Sequence, residues 1–400
     1  MDISPIIEEI VGQPGWFPGN AIVLIFLDDP DNPASGFRNA EAGPGDDSAL
    51  LHIEYGPAVK ASGSVPGDTA VEVLRDPILS WGSGVYANTH DVYLGTAADD
   101  LAAVSIGQTD TTYDPGRLEF GQTYYWRVDE VNGAPDRTVH EGSLWSFTVE
   151  QFSYPIANIT ATASSFTEDM GPEKTTDGSG LNALDQHGTI GTDMWLSGMG
   201  DPTPTIQYDF DKAYKLHEMR VWNSNQMVES FVGLGAKDVV IEHSIDGIEW
   251  TVLEGVTELA QATGLEDYVA NNIIDFAGAQ AKHVRITISA GFGFLPQYGL
   301  SEVRFLYIPT FAREPVPAHG SNVDSATVEL GWRSGREPAS SEVYLGTDPN
   351  APLTLAGTTD DNSYTPHSTH LAHVIFYFLP AHFNVFVYYS PTHKWSFLSR

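Results

Sequence analysis

Carboxylates are the side chains with which this chain is best equipped to do chemistry. Its 400 residues include 53 Asp and Glu against 19 Lys and Arg, which gives a formal net charge of −34 at pH 7. Several of them crowd one Gly- and Pro-rich stretch: Asp28, Asp29, Asp31, Asp46 and Asp47. Glycosidase carboxylates face each other across a cleft, about 5–9.5 Å apart, so adjacency along the chain does not indicate catalysis. We expect this acidic stretch to bind water or Ca²⁺, an ion that prefers carboxylate oxygens.

Catalytic motifs are absent from the sequence. It contains no G-x-S-x-G elbow, no G-x-x-x-x-G-K-[ST] phosphate loop and no H-E-x-x-H zinc motif. Because it has no cysteine, it also lacks thiolate nucleophiles, thiolate zinc sites and disulfides. The scattered histidines predict surface or core polar residues: His52, His90, His140, His243 and His283. We therefore expect a protein that is not an enzyme.

The amino-acid composition indicates which binding partners the protein can have and where it is located. The strong negative charge argues against nucleic acid and anionic membranes as partners. No apolar run has the length of a transmembrane segment, and the start at Met1 lacks the basic and apolar regions of a signal peptide. Abundant Gly and Pro, with 11% aromatic residues, favour β-sandwiches. We expect an extracellular protein, secreted or at the cell surface, whose signal peptide is not in this chain.

One part of the chain occurs twice. Residues 79–81, 92–96, 113–115 and 145–147 recur in the same order as 330–332, 343–347, 364–366 and 395–397. So long a gap indicates a duplicated domain rather than a solenoid. The alternating stretch at 121–128 resembles the penultimate strand of fibronectin type III domains. The resemblance implies two such sandwiches, at 57–150 and 310–400.

The two ends of the chain depart from this pattern. Residues 1–56 hold strand patterns at 21–27 and 50–55, too few to fold alone, and predict the C-terminal part of an incomplete β-sandwich module. In the second repeat an apolar run at 374–379 replaces the alternating strand, among several histidines: His367, His370, His373, His382 and His393. Two interpretations of residues 367–394 remain. The histidines bind a metal ion, or the stretch reflects local sequence drift or a reading-frame artefact. The second interpretation is favoured.

Residues 151–309 differ from both flanks. Strand patterns occur at 205–210, 216–222, 238–243, 283–289 and 301–307, and Asp246-Gly247 predicts a hairpin turn. The segments 160–165, 174–178, 192–195, 239–250, 284–286 and 299–305, in this order, resemble the discoidin domain, also called the coagulation factor V/VIII C-type domain. They are similar to carbohydrate-binding module family 32. The predicted fold is all-β: a galactose-binding-like jelly roll between two fibronectin type III-like sandwiches, as in large secreted bacterial surface proteins.

The resemblance implies one structural calcium ion. In the family an Asp-Gly turn, a Thr ahead of a Trp and a Glu of the last strand enclose it. The matching positions are Thr176, Asp177, Thr192 and Glu302. Carboxylates and carbonyls of this kind suit Ca²⁺, which takes six to eight oxygens. The alternative is a plain turn at Asp177 and a solvated Glu302.

The resemblance also implies a glycan site on three loops at one end, here 182–187, 223–229 and 291–298. The residues expected to bind are Asp185, Gln186, His187, Asn223, Asn225, Gln226, Phe292, Phe294 and Gln297. Aromatic faces and amides suit sugars, although turns also favour Asn and Gly for their backbone properties. These loops contain no Lys or Arg, which argues against a typical galactose site, and the negative charge argues against anionic phospholipid.

Three classes of function remain. The favoured one is a non-catalytic carbohydrate-binding or adhesion protein that engages a glycan or cell-surface polysaccharide, with the flanking domains as spacers. The second is a structural surface or filament-forming protein that self-assembles through strand donation and loop contacts. The third is an accessory fragment of a larger glycoside hydrolase. The first predicts monomers that bind sugar, and the second predicts assembly of the isolated protein. The third predicts a longer reading frame upstream.

Overall fold

The computed structural model describes residues 59–318, 329–336, 340–346 and 354–365, together with the strands at 375–378 and 384–388. Within these residues all elements are strands except two short 3₁₀ turns, at Pro172–Thr175 and Gly191–Asp193, and one helix, α1 (Glu229–Val232). The predicted all-β class is confirmed. No helix in this part of the chain has the length and apolar character that crossing a membrane requires. The predictions for residues 1–56 and for the histidines between 367 and 393 lie outside the described residues.

The first repeat consists of two sheets. Its strands are β1 (Ser62–Val65), β2 (Ala70–Val73), β3 (Leu79–Gly82), β4 (Ala87–Ala97), β5 (Asp100–Gln108), β6 (Thr112–Tyr113), β7 (Thr123–Asn132), β8 (Val139–His140) and β9 (Trp145–Val149). One sheet has the order β1-β3-β6 and the other β2-β9-β7-β4-β5, with β8 beside β7. Alternate side chains of β9 are buried, as a strand with one core-facing side requires. Trp81, Trp126 and Trp145 meet in the core, with ring centroids of the last two 4.8 Å apart.

The middle region forms a connected network of nine strands. They are β10 (Tyr154–Pro155), β11 (Thr160–Ala163), β12 (Trp195–Leu196), β13 (Thr205–Asn223), β14 (Ala236–Ser244), β15 (Thr251–Val252), β16 (Asn272–Asp275), β17 (Gln280–Gly291) and β18 (Gly299–Tyr307). Their order is β10-β18-β13-β17-β14-β15, with β11 and β16 also beside β13 and β12 beside β18. The hairpin predicted at Asp246-Gly247 joins β14 to β15 and is confirmed.

The longest strand, β13, holds this region together. Up to Asp209 it pairs with β11 and β17, and beyond Leu216 it pairs with β16 and β18. Its register shifts between Asp209 and Tyr214, and such irregularities bend a strand so that it can serve two layers. The core between the layers is aromatic, with Tyr208 and Phe305 rings 5.2 Å apart. The strands β13 and β18 therefore run the length of the domain.

The second repeat follows the first in its strand order. Its described strands are β19 (Arg313–Val316), β20 (Leu330–Arg333), β21 (Ser341–Gly346), β22 (Thr354–Thr359), β23 (Ser363–Tyr364), β24 (Ile375–Phe378) and β25 (Asn384–Tyr388). The order β19-β20-β23 repeats β1-β3-β6, and Leu330 and Trp332 are buried like Leu79 and Trp81. However, β21 pairs with β25 in parallel, whereas β4 pairs with β7 antiparallel. The duplication is therefore clear in the first sheet and diverges in the second.

The two repeats meet at a cluster of charged side chains that we call the arginine junction: Glu72, Glu150, Arg313, Arg333 and Arg336. The Glu150 carboxylate receives guanidinium groups at 2.7 Å from Arg336, 3.0 Å from Arg313 and 3.3 Å from Arg333. Arg333 also reaches Glu72 at 3.1 Å. Both Glu150 and Arg336 are almost fully buried. The chain therefore folds back, so that the start of the second repeat packs on the end of the first.

Candidate functional site

Glu302 on β18 is a buried carboxylate with one uncompensated oxygen. Its residue is 3% exposed, and its Oε2 atom has no hydrogen-bond partner among the described residues. Burial raises the pKa of this carboxyl to about 8; Arg304 and the Gly178 N–H act in the opposite direction, and Asp177 and Asp185 add to the rise. A buried carboxylate is costly unless a cation or donors compensate it. The site therefore favours an added positive charge.

The turn carrying Asp177 lies against Glu302. Asp177 Oδ1 accepts the Ser179 N–H at 2.7 Å, and Oδ2 lies 3.5 Å from Lys174 Nζ. Burial alone would raise the pKa of Asp177, but the bonds from Ser179 and the charge of Lys174 hold it below its usual range. Gly178 follows with φ +73°, a conformation that glycine adopts without strain. Asp177 is thus an ionised carboxylate beside a buried one.

Glu302 and Asp177 could supply part of the ligand set of a calcium ion. The orphaned oxygen of Glu302 and the neighbouring carboxylate of Asp177 are hard oxygen donors of the kind that Ca²⁺ prefers. No group of three or more His, Asp or Glu suited to a metal occurs in the part of the chain that the structure describes. Backbone carbonyls would have to complete the set. Thr176 donates its hydroxyl to Glu173 O at 3.3 Å, and Thr192 lies exposed on the second 3₁₀ turn.

Two of the predicted glycan-binding residues, Asn223 and Asn225, are fully buried. Asn223 donates to the carbonyls of Ala236 and Ala260, and it accepts the Ala236 N–H. Asn225 donates to the carbonyls of His187 and Leu265 and accepts the Gly264 N–H. All polar atoms of both amides are therefore used inside the protein. We revise their assignment: they position the loops and do not present atoms to a ligand.

His187 and Gln297 are also held inside. His187 is 0% exposed, and its Nδ1–H donates to Gly188 O at 2.9 Å, whereas Nε2 has no partner among the described residues. A Cβ at Gly180, where φ is +79°, would lie 2.5 Å from the His187 ring, so glycine is required there. Gln297 donates to Ser197 O at 3.1 Å and is 9% exposed. Both residues brace the loops in this conformation.

Asp185, Gln186 and Gln226 lie nearer the surface. The Asp185 carboxylate pairs with Arg304 at 2.9 Å, and its carbonyl accepts the indole N–H of Trp222. Gln186 Oε1 accepts from Asn182 at 2.9 Å. Gln226 is half-buried, with its Nε2 unpartnered among the described residues. Arg304 comes from β18, so the basic residue paired with Asp185 lies on a strand and not in the three loops.

The most exposed part of the loop end is aromatic. Phe294 is 84% exposed, and Phe231 on α1 is 86% exposed, whereas Phe292 is half-buried. Their loops touch, since the Gly293 N–H donates to Gly233 O at 2.9 Å, and a Cβ at Gly293 would lie 1.6 Å from Val232 O. We call Phe231 and Phe294 the aromatic tips. The sequence prediction missed Phe231 because the expected loop ended at residue 229.

The loop carrying Phe231 is closed by Glu229. This side chain is fully buried, and its carboxylate accepts the N–H groups of Leu234 and Gly235 and the amide of Gln261. Burial raises the pKa of the Glu229 carboxyl, and these three donors oppose the rise. The aromatic tip at Phe231 therefore stands on a loop fixed from inside.

Residues 160–295 match the family model of the F5/8 type C domain. This segment is an F5/8 type C domain. The match confirms the resemblance stated from the sequence for the middle region, while the fibronectin type III resemblance of the flanks stays a prediction. Among curated proteins, none matches the chain significantly.

Solved structures that resemble part of this chain include carbohydrate-binding modules. CBM32-3 from a family 31 glycoside hydrolase of Clostridium perfringens is 22% identical, covers 39% of this chain and 95% of its own, and has a TM-score of 0.29. A GH31 CBM32-2 module bound to GalNAc is 17% identical, with 38% and 98% covered and a TM-score of 0.28. A family 89 glycoside hydrolase of Clostridium perfringens in complex with PUGNAc is 16% identical, with 38% and 14% covered and a TM-score of 0.27. The chain thus spans only a small part of that hydrolase.

Proposed function

We propose that this chain is a non-catalytic, extracellular carbohydrate-binding protein whose F5/8 type C domain engages glycan at the loop end. The observation that carries the proposal is the pair of aromatic tips, Phe231 and Phe294, each more than four-fifths exposed. Large apolar side chains exposed together on adjoining loops indicate a contact surface. The C–H face of a pyranose packs on such rings.

We assign the sugar hydroxyls to a charged pair of the same domain. Asp185 and Arg304 form an ion pair with side chains 52% and 34% exposed. A carboxylate accepts and a guanidinium donates hydrogen bonds, so the pair can serve both functions of a sugar hydroxyl. Glycan sites combine an apolar floor with a few convergent polar groups of this kind.

Calcium is part of the proposal as a structural ion. Glu302 and Asp177 would hold it, with Thr176, Thr192 and backbone carbonyls as further oxygen donors. Its charge would compensate the buried Glu302 carboxylate, whose Oε2 atom has no protein partner among the described residues. The ion would fix the turn at Asp177 to β18, which also carries Arg304, and so stabilise the polar side of the loop end.

A glycan array with the full chain tests the proposal. We expect saturable binding that Phe231→Ala and Phe294→Ala each weaken about tenfold, because losing the contact of a buried ring costs about 1.5 kcal/mol or more. Tyr86→Ala, which removes an aromatic ring 58% exposed in the first repeat, is the matched control. Absence of glycan binding, or equal binding by all variants, would contradict a glycan site at the tips.

A further inference from the structure

A second concave site lies where the F5/8 type C domain meets the second repeat. We call it the junction pocket. It has a volume of about 320 Å³, at the lower end of the range for small-molecule sites. Its walls come from the irregular part of β13, the end of β18 and the segment that follows: residues 212–215, 280 and 307–313.

The junction pocket is remote from the aromatic tips. On β13 the pocket residue Lys215 and the loop residue Asn223 are separated by eight residues, about 26 Å at 3.3 Å per residue. On β18 the pocket residue Tyr307 and the loop-end residue Gly299 are separated by the same length. Lys215 lies in the middle of β13 and Asn223 at its end, whereas Tyr307 and Gly299 are the two ends of β18. A ligand in one site therefore does not touch the other.

The pocket has aromatic walls. The rings of Tyr214 and Tyr307 lie 4.8 Å apart and are tilted by 58°, and Phe311 also lines the space. The Tyr214 hydroxyl is held by Asp211 at 2.8 Å, which fixes the orientation of its ring. Together the two tilted rings form an apolar corner against which the C–H face of a sugar can pack.

The charge of the pocket is opposite to that of the chain. Lys212, Lys215 and Arg313 line it, and none of its described lining residues is Asp or Glu, although carboxylates outnumber basic residues 53 to 19 in the sequence. Arg313 is already paired with Glu150 at 3.0 Å. Lys212 is exposed, and its Nζ lies 5.2 Å from the Tyr214 ring centroid. Lys212 therefore combines with the aromatic wall at the place where a ligand carboxylate would lie.

We propose that the junction pocket binds an acidic saccharide, with the pyranose ring on Tyr214 and Tyr307 and the carboxylate of a uronic acid at Lys212. Neutral sugars would use only the aromatic walls. The basic lining gives a carboxylate an advantage over a neutral group at this place, although the protein as a whole repels anions. This site is separate from the loop end and does not depend on glycan binding there.

Ligand-observed NMR with the full chain at 0.15 M salt tests the proposal with two probes that differ only at C6: methyl β-D-glucuronide and methyl β-D-glucoside. We expect the glucuronide to bind at least threefold more tightly, and Lys212→Gln to remove about this factor, as for a partly exposed ion pair. Lys237→Gln is the control, because Lys237 is also partly exposed and pairs with Asp238 outside the pocket. Tyr214→Ala should weaken both probes.

The aromatic-tip variant Phe294→Ala separates the two sites. If the junction pocket binds the glucuronide, Phe294→Ala leaves its affinity unchanged, whatever happens to glycan binding at the loop end. Loss of glucuronide binding in Phe294→Ala but not in Lys212→Gln would overturn the proposal. Equal binding of the two probes, or no binding of the glucuronide, would overturn it as well.

Discussion

Two buried glutamates of this protein solve the same electrostatic problem in different ways. Glu150 at the arginine junction is 5% exposed, and Glu302 in the F5/8 type C domain is 3% exposed. Glu150 has three guanidinium groups within 3.3 Å. Glu302 has one arginine at 4.0 Å and an oxygen without any partner among the described residues. Glu150 is compensated by its own three arginines, whereas one oxygen of Glu302 is reached by no cation or donor among the described residues.

The difference indicates what each site is for. A buried carboxylate surrounded by its own arginines stabilises one arrangement of the segments that carry them, since separating the charges is costly. A buried carboxylate without a cation is destabilising unless an ion binds, and this cost makes the fold sensitive to that ion. We therefore expect the junction to hold the repeats together permanently, and the Glu302 site to respond to calcium.

The largest expected effect comes from breaking the complete site. Glu150→Gln leaves Arg313, Arg333 and Arg336 close together without their central counter-charge, and we expect the free energy of unfolding to fall by about 3 kcal/mol. Small-angle scattering of the full chain should show a larger radius of gyration, because the repeats separate. Denaturant unfolding measures the energy.

Glu141→Gln is the matched control for this variant. Glu141 also pairs with an arginine, Arg127 at 2.7 Å, but its side chain is 71% exposed and both residues belong to the first repeat. An exposed pair is worth at most about 1 kcal/mol. If both variants have the same small effect and the radius is unchanged, the arginine junction does not hold the repeats together.

The second effect concerns the incomplete site. Saturating calcium at about one hundred times its dissociation constant should stabilise the protein by about 2.7 kcal/mol, which corresponds to roughly 5–10 °C in the melting temperature of a domain of this size. Glu302→Gln should abolish this response. In chelator the variant should be about as stable as the original chain, because a carboxyl with a pKa of about 8 is mostly protonated at neutral pH and the amide that replaces it is neutral as well.

Glu254→Gln, at an exposed position of the same domain, should keep the calcium response. Differential scanning calorimetry of the original chain and of both variants, each with calcium and with chelator, measures these differences in melting temperature. A chain whose melting temperature is the same in both conditions would contradict the calcium proposal, and glycan binding at the aromatic tips would then have to be explained without the ion.

The strand pattern of the F5/8 type C domain could be predicted from the sequence, because alternation is local. The stretches 205–210 and 216–222 were predicted as two strands and are parts of one, β13, which continues through the irregularity between Asp209 and Tyr214. The turn at Asp246-Gly247 was found because Gly247, at φ +75°, needs a glycine. Local backbone chemistry was enough in each case.

The candidate site was less predictable, because its contacts join distant parts of the chain. Asn223 was predicted to lie in a loop, where amides commonly face solvent, but it ends β13, and only the carbonyls of Ala236 and Ala260 show that its amide is used inside. Glu150 and Arg313 are 163 residues apart. No sequence pattern predicts the unpartnered oxygen of Glu302, since it results from the absence of donors around it among the described residues of the folded protein.

A third buried glutamate lies between these extremes. Glu229 has no arginine or lysine partner within the residues described, but its carboxylate accepts two backbone N–H groups and the amide of Gln261. Dipoles of this kind compensate a charge less completely than a cation does. Burial therefore still raises the pKa of the Glu229 carboxyl, and the loop that carries Phe231 should be sensitive to pH.

The smallest expected effect follows from the raised pKa of Glu229. Because the folded protein holds the proton on Glu229 more tightly than the unfolded chain does, stability is greatest below the ordinary pKa of 4.5 and falls as the pH rises through the raised value. The measurement is urea unfolding between pH 4 and pH 8 in a Glu302→Gln background, which removes the other buried carboxyl of the domain. Adding Glu229→Gln should flatten the profile. A profile that Glu229→Gln leaves unchanged would mean that the three donors fully compensate the charge, and that a cation is not needed to bury a glutamate in this domain.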